Sequence, residues 1–144
     1  MNLLYKQEDA VKAVKTQKIR SIRRKLSQNL IVYHEPKSHA AEAFRALRTN
    51  IGFAGLDNKL KTIAVTSPEP NDGKSTTACN LAISFAQTDK KVLLIECDLR
   101  KPKIHRNFRM SNDVGLTHIL ADMILEDQTV MSYVKEVPEI ENLF

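Results

Sequence analysis

Residues 61–97 contain two apolar runs separated by a polar loop and a segment of small apolar residues, and this pattern constrains the fold most strongly. The run at 61–66 has the pattern of a strand, and the continuous apolar run at 91–97 is typical of a central parallel strand covered on both faces. Between them, residues 75–87 are small and apolar on nearly all sides, which predicts a helix buried against a sheet. We therefore predict a βαβ unit with a right-handed crossover, within an α/β fold whose parallel sheet is flanked by helices.

The segment before this unit predicts two further helices. Apolar residues recur at helical spacing over residues 8–28 with lysines and arginines between them, which indicates a basic amphipathic helix. Its basic face is either an ordinary solvated surface or a contact with a membrane or partner. Residues 29–37 have the composition of an extended linker, and Ser38 can then cap a second helix. One buried stripe is expected along that helix, formed by Ala40, Phe44, Leu47 and Ile51.

The composition is that of one globular domain, with 144 residues, 42% hydrophobic and 27% charged. Cys79 and Cys97 lie within apolar runs and are predicted to be buried free thiols of a reducing cytoplasm. No apolar stretch is long enough to span a membrane. The net charge of +5 is concentrated in residues 1–48, which suits a partner or anionic lipid at least as well as nucleic acid. Because no nucleic-acid-binding motif accompanies the charge, we predict no nucleic acid partner.

The chain after residue 97 carries weaker signals. Residues 115–122 predict a short helix, and residues 130–137 form an element whose type the pattern leaves open. Residues 141–144 have the pattern of the beginning of another strand. The four histidines are scattered without the spacing of metal ligands, so we expect them to be structural or surface residues.

Residues 67–76, with the sequence SPEPNDGKST, are the central motif. A loop between a parallel strand and a helix N-terminus turns several backbone N–H groups toward one point, where the helix dipole adds partial positive charge. Gly73 leaves room for phosphate oxygens, Lys74 supplies a cation for the β- and γ-phosphates, and Ser75 offers a hydroxyl for Mg²⁺. Pro68 stands where the strict Gly-x4-Gly-Lys pattern has its first glycine, but the flanking strand and buried helix still favour phosphate binding.

Two acidic residues follow the second apolar run. Glu96 and Asp98 should face the same crevice as Lys74 and Ser75, because ligands of open α/β sheets bind beyond the carboxyl ends of the strands. Carboxylates beside a phosphate loop suit Mg²⁺, which takes one or two of them together with phosphate oxygens and water. The alternative is that these acids merely end a strand.

Three segments together resemble a known family, the bacterial tyrosine autokinases of capsule and exopolysaccharide synthesis, within the MinD/ParA-type group of P-loop ATPases. Residues 66–76 resemble the family's Walker A loop, and residues 92–102 resemble its second motif, Walker A′. Residues 42–51 resemble its Glu-x2-Arg-x2-Arg helix, which is associated with ring-shaped oligomers.

The chain departs from this family's pattern at a few positions. Asn71 stands where the family usually has glycine, Asp72 replaces a glutamate, and Glu96 replaces the first aspartate of Walker A′. Asparagine tolerates a positive φ better than most residues, so the turn at 71 is still expected. Glu69 stands where ParA-type relatives carry an additional lysine, which favours the kinase branch.

The resemblance implies an ATP-dependent protein-tyrosine autokinase that regulates capsular or exopolysaccharide synthesis and export. It further implies a cytoplasmic protein held at the inner face of the cell membrane by a transmembrane chain-length regulator, a ring-shaped homo-oligomer, and an opposing tyrosine phosphatase. The implied catalytic residues are Lys74, Asp98 and Glu96, and the implied Mg²⁺ ligands are Ser75, Glu96 and Asp98. The implied ATP-binding residues are Asn71, Asp72, Gly73, Lys74, Ser75 and Thr76. The implied oligomer contacts are Glu42, Arg45 and Arg48.

The same resemblance sets the expected domain organisation. Residues 1–37 would form the basic helix and linker, and residues 38–144 the N-terminal part of a P-loop kinase domain. The family's Walker B acid, adenine-contacting segment and tyrosine cluster would follow Phe144, so we expect the 144-residue chain alone to be inactive. The alternative function is an ATP-binding regulatory or partitioning-type ATPase without tyrosine kinase activity, or an inactive kinase fragment.

Overall fold

The computed structural model describes residues 26–54, 60–122 and 130–144. Most of the basic helix predicted over residues 8–28 lies outside the described residues, and residues 26–28 are not helical. One helix packs against three others and forms the centre of the described fold. It is α3 in the series α1 (Ile31–His34), α2 (His39–Ala54), α3 (Lys74–Ala86), α4 (Ile104–Asn107), α5 (Leu116–Asp122) and a 3₁₀ helix (Val130–Tyr133).

Helix α2 begins at the predicted cap. The Ser38 hydroxyl oxygen accepts a hydrogen bond from the Ala41 amide at 3.1 Å, and the Ser38 carbonyl accepts one from the Glu42 amide at 3.0 Å. The side-chain bond satisfies one of the amides that a helix N-terminus otherwise leaves unpaired. The predicted cap is therefore confirmed.

The buried face of α2 differs from the predicted stripe. Ala41 is fully buried, whereas Ala40 and Leu47 are exposed, so the prediction is wrong at those two positions. The inward position next to Leu47 belongs to Arg48, whose guanidinium bonds to α3. A pattern of apolar residues alone cannot detect an inward arginine, which is why the predicted stripe is wrong at these two positions. The residues of α2 that meet the core or α3 are Ala41, Phe44 and Arg48, and Ile51 is half-buried.

Helix α3 is the helix predicted over residues 75–87, and its observed bounds agree to within one residue. Its first turn is half-buried, and almost every residue of its second half is buried. Small side chains allow neighbouring elements to approach the α3 backbone closely. The buried residues are Cys79, Asn80, Leu81, Ala82, Ile83, Ser84 and Ala86.

The extended linker predicted for residues 29–37 is wrong. Residues Ile31–His34 form a helical turn, and Leu30 and Val32 are completely buried in the same core as α3. The amide of Val32 donates to Asn80 Oδ1 at 3.0 Å, and Asn80 Nδ2 donates to the Asn29 carbonyl at 2.8 Å. The buried Asn80 side chain on α3 thus bonds to two backbone groups of this segment. The core contains residues from both sides of position 37, such as Val32 and Ala41.

Neither predicted strand is a regular strand in the described part of the chain, where no backbone hydrogen bond joins the segments 61–66 and 91–97 to each other. The run at 91–97 instead meets the C-terminal residues. Val92 forms a parallel bridge with Leu143, and the Leu94 amide donates to the Phe144 carbonyl at 2.8 Å. The strand predicted to begin at 141–144 therefore forms a parallel pair, while a complete parallel sheet stays a prediction.

The run at 91–97 is covered on one face only in the described structure. Val92 and Leu94 pack against the core, whereas Leu93 and Ile95 are exposed. Successive side chains of an extended segment point to opposite faces, so this alternation follows directly from the backbone. The predicted burial is confirmed for Cys79 but is wrong for Cys97, which lies on the exposed face.

The C-terminal part of the described chain is held by side-chain contacts. The predicted short helix is present as α5, and the 3₁₀ helix follows at Val130–Tyr133. The Tyr133 hydroxyl donates to the Asp122 carboxylate, and Lys135 forms an ion pair with Asp113 at 2.5 Å. Among the described residues, no helix combines the length and apolarity that crossing a bilayer requires.

Candidate nucleotide-binding site

The loop before α3 contains two residues in the left-handed conformation. Asn71 has φ 71° and Gly73 has φ 84°. A Cβ on Gly73 would meet no atom within 4 Å, so the backbone conformation, rather than crowding, requires glycine here. The loop is also braced internally, because Asp72 Oδ2 accepts the Glu69 amide at 3.1 Å. The positive φ predicted as tolerable for Asn71 is the conformation it adopts.

The left-handed turn at Gly73 leads directly into the N-terminus of α3. The first hydrogen bond of the helix runs from the Thr77 amide to the Gly73 carbonyl at 2.8 Å. The amides of Lys74, Ser75 and Thr76 precede that bond and point out of the helix end, where the dipole of a 13-residue helix adds positive potential. This arrangement is suited to bind an anion such as a phosphate group.

Glu96 lies near the end of the run at 91–97 and Asp98 directly after the run, and both residues are half-buried. Glu96 Oε2 accepts hydrogen bonds from the amides of Lys103 at 3.0 Å and Ile104 at 3.1 Å. Its other oxygen, Oε1, accepts the Asp98 amide at 3.1 Å. The Glu96 carboxylate therefore organises the turn from the strand segment into α4.

The Asp98 carboxylate accepts fewer backbone hydrogen bonds than the Glu96 carboxylate. Its Oδ1 accepts the Lys101 amide at 3.0 Å, which closes a short turn. No three His, Cys, Asp or Glu side chains come close enough together to hold a metal ion within the residues that the structure describes. The roles predicted for Glu96 and Asp98 toward Mg²⁺ and in catalysis stay predictions.

One side chain joins the acidic segment to the phosphate loop. Lys103 Nζ donates to Asn71 Oδ1 at 2.6 Å, across 32 residues of sequence. The segment that carries Glu96 and Asp98 is thereby held next to the loop that carries Lys74 and Ser75. No sequence pattern marks Lys103 as a site residue, because a lysine in a polar segment resembles ordinary surface charge.

The three residues predicted to form oligomer contacts do not share one environment. Arg45 Nε and Nη2 both donate to Glu42 Oε2, at 2.9 and 2.7 Å, on the exposed surface of α2. Arg48 points the other way, and its Nη1 donates to the Ser84 carbonyl of α3 at 2.6 Å. Arg48 therefore joins two helices of the same chain, while Glu42 and Arg45 remain on the surface.

Comparison with known proteins agrees with this site. Residues 63–130, which include the loop and α3, match the model of the CobQ/CobB/MinD/ParA nucleotide-binding domain family. The chain is 48% identical over 108 residues to the tyrosine-protein kinase YwqD of Bacillus subtilis (strain 168), an alignment that covers 75% of this chain and 46% of YwqD. The predicted family resemblance is confirmed. The region of the loop and α3 is thus similar to a nucleotide-binding domain, and the similarity supports a fold of the P-loop NTPase type.

Two further relatives extend the same similarity. The putative tyrosine-protein kinase CapB of Staphylococcus aureus is 37% identical over 114 residues, which cover 79% of this chain and 48% of CapB. The solved structure of the BceF tyrosine kinase domain superposes with a TM-score of 0.68 at 31% identity, covering 94% of this chain and 50% of that domain. The chain therefore spans about half the length of each of these three relatives.

Proposed function

We propose that this chain forms the nucleotide-binding part of an ATP-dependent protein-tyrosine autokinase that regulates capsular or exopolysaccharide synthesis and export. The observation that carries the proposal is the left-handed Gly73 at the start of α3, followed by Lys74, Ser75 and Thr76. The similarity to proteins named tyrosine-protein kinases supports the kinase activity. A parallel sheet, to which the Val92–Leu143 bridge would belong, completes the proposed fold.

In this proposal the ATP phosphates bind at residues 71–76. The amides that precede the first helical bond of α3 would donate hydrogen bonds to the phosphate oxygens, and the Lys74 ammonium would balance their charge. Phosphoryl transfer relies mostly on positioning and charge neutralisation, so these groups would supply much of the catalysis on this side of the site.

Mg²⁺ is the second implied cofactor. Its three predicted ligands differ in how many of their oxygens already accept backbone hydrogen bonds. The Ser75 hydroxyl lies in the first turn of α3, and Asp98 uses one of its two carboxylate oxygens for the Lys101 amide. Glu96 uses both oxygens to accept three amides. We therefore give Ser75 and Asp98 the metal role and Glu96 a positioning role. Bound Mg²⁺ would neutralise charge on the phosphates and help to orient them.

The proposed partners follow from the family resemblance. We propose a ring-shaped homo-oligomer with contacts through Glu42 and Arg45, a transmembrane chain-length regulator, and an opposing tyrosine phosphatase. The exposed position of the Glu42–Arg45 pair supports the first of these. The regulator would hold the protein at the cytoplasmic face of the membrane.

The nucleotide site is tested by titrating the chain with a fluorescent ATP analogue. We expect Lys74→Met to weaken binding roughly tenfold or more, because it removes a cation that contacts phosphate but keeps the bulk of the side chain. Lys90→Met is the matched control, since Lys90 is an exposed lysine beyond the opposite end of α3. Equal affinities of the two variants, with unchanged circular dichroism, would overturn the assignment.

The kinase and the alternative ATPase are separated by a second measurement. The protein isolated from its own cells is probed for phosphotyrosine, with the Lys74→Met variant as the negative control. Phosphotyrosine that depends on Lys74 would support the kinase. ATP binding and hydrolysis without phosphotyrosine would select the regulatory or partitioning-type ATPase instead.

A further inference from the structure

A second lysine stands at the phosphate loop besides Lys74. Lys103 lies on an exposed turn just before α4, and its ammonium donates to the Asn71 side chain at 2.6 Å. Asn71 is the first of the two left-handed residues of the loop, two positions before Gly73. The Lys103 ammonium is therefore fixed at the loop that we assign to phosphate binding.

The backbone around Lys103 is held by Glu96. Its Oε2 accepts both the Lys103 and Ile104 amides, so one carboxylate oxygen fixes the two peptide units at the start of α4. The Ile104 side chain packs against the core and anchors the other side of this turn. With its backbone fixed in this way, Lys103 has only its side-chain torsions left to order when it reaches across to Asn71.

The charge of Lys103 is not matched by a carboxylate. Its partner at the loop is a neutral amide oxygen, and neither Lys103 nor Lys74 forms an ion pair with any residue that the structure describes. The loop carboxylate of Asp72 accepts the amide of Glu69. Two uncompensated ammonium groups thus border a loop whose helix end already favours anions.

We propose that Lys103 is a second cationic phosphate-binding residue of the nucleotide site, and that Glu96 is the residue that positions it. The inference rests on the proposed ATP binding at residues 71–76. When a polyphosphate binds, the ammonium exchanges the neutral Asn71 oxygen for a charged phosphate oxygen, and charge-assisted bonds of this kind are about twice as strong. The bond to Asn71 holds the lysine at the loop beforehand, which lowers the entropy cost of binding.

The test compares two neighbouring lysines in the same chain. Affinity for ATP is measured by competition with a fluorescent ATP analogue, in EDTA and again with Mg²⁺. We expect Lys103→Met to weaken ATP binding roughly tenfold, since it removes a charged hydrogen bond to phosphate. Lys101→Met removes the same charge two residues away, where only the backbone amide is engaged, and should change affinity less than about threefold.

A double-mutant cycle separates phosphate binding from loop bracing. Asn71→Gly keeps the left-handed turn but removes the amide that Lys103 contacts. If Lys103 binds phosphate, Lys103→Met should still weaken ATP binding in the Asn71→Gly background. If it only braces Asn71, the second substitution should have no further effect, and the proposal is wrong.

The positioning role of Glu96 is measured in EDTA, where no metal contribution remains. We expect Glu96→Gln to weaken ATP binding a few-fold, and to have no further effect in the Lys103→Met background. An additive effect would show that Glu96 does not act through Lys103. If the unmodified chain binds no ATP, or if Lys74→Met equals Lys90→Met, the proposed function itself fails; if only Lys103→Met equals Lys101→Met, this inference alone fails.

Discussion

The helical core and the strand segments of this chain differ in how fully their groups are paired. Around α3, the buried Asn80 side chain pairs with three backbone groups, and Arg48 pairs with the Ser84 carbonyl. In the run at 91–97, by contrast, Leu93 is 51% exposed and Ile95 52% exposed. A helix pairs most of its backbone groups internally, and long-range side-chain bonds supplement that pairing around α3, whereas each strand edge needs another strand to pair its backbone.

One cysteine lies in each of these two regions. The difference between their alkylation rates is the largest effect that we expect. Cys79 is buried on α3, and burial raises the pKa of its thiol to about 11, so about one thousandth is thiolate at pH 8. Cys97 lies on the exposed face of the strand segment. Because alkylation requires an accessible thiolate, we expect iodoacetamide at pH 8 to modify Cys97 at least about a hundredfold faster than Cys79.

Mass spectrometry of the two peptides measures both rates in one sample. In 8 M urea the difference should largely disappear, because both thiols are then solvated. Similar rates under native conditions would mean that the core around α3 opens as readily as the strand segment, and the contrast between the regions would be lost.

The same contrast explains which features could be predicted from the sequence. Helix α3, its preceding loop and the cap at Ser38 follow from residue types at fixed local spacing, and all three are present. The helical turn at residues 31–34 was missed because its backbone is paired by Asn80, 48 residues away along the chain. Long-range polar pairs leave no periodic signal, so the bonds of Arg48 to Ser84 and of Lys103 to Asn71 could not be predicted from the sequence.

Removing the Asn80 side chain should destabilise the helical core around α3. Asn80→Ala leaves the buried Val32 amide without its partner and removes one hydrogen bond each from the part-buried Asn29 and Thr76 carbonyls. We expect a loss of roughly 2–4 kcal/mol in the free energy of unfolding, since an unpaired buried amide carries a desolvation cost and two further hydrogen bonds are lost. Urea unfolding followed by circular dichroism measures the loss.

Asn50→Ala is the matched control, because Asn50 is exposed on α2. That substitution should stay within about 0.5 kcal/mol of the unmodified chain. If Asn80→Ala were equally mild, the three hydrogen bonds would not hold residues 29–32 to α3, and that segment would act as the linker predicted from its composition.

The smallest effect that we expect is on stability, and it comes from two arginines of α2. Arg45 lies on the surface of the helix beside Glu42, whereas Arg48 faces α3. Arg48→Ala removes a charged hydrogen bond of 2.6 Å to the Ser84 carbonyl, and we expect it to cost roughly 1–2 kcal/mol. Arg45→Ala breaks an exposed pair with Glu42, which should change stability by less than about 0.5 kcal/mol.

The same two substitutions should affect the oligomer mass in the opposite order, with the larger effect from Arg45→Ala. If Glu42 and Arg45 form contacts between copies of the chain, Arg45→Ala should reduce the mass measured by size exclusion with light scattering while leaving the unfolding transition unchanged. Arg48→Ala should lower the unfolding transition first, and any loss of mass would follow from that. A stable Arg48→Ala variant of reduced mass would instead mean that Arg48 turns from Ser84 toward another copy, and that α2 is held to α3 by its apolar contacts alone.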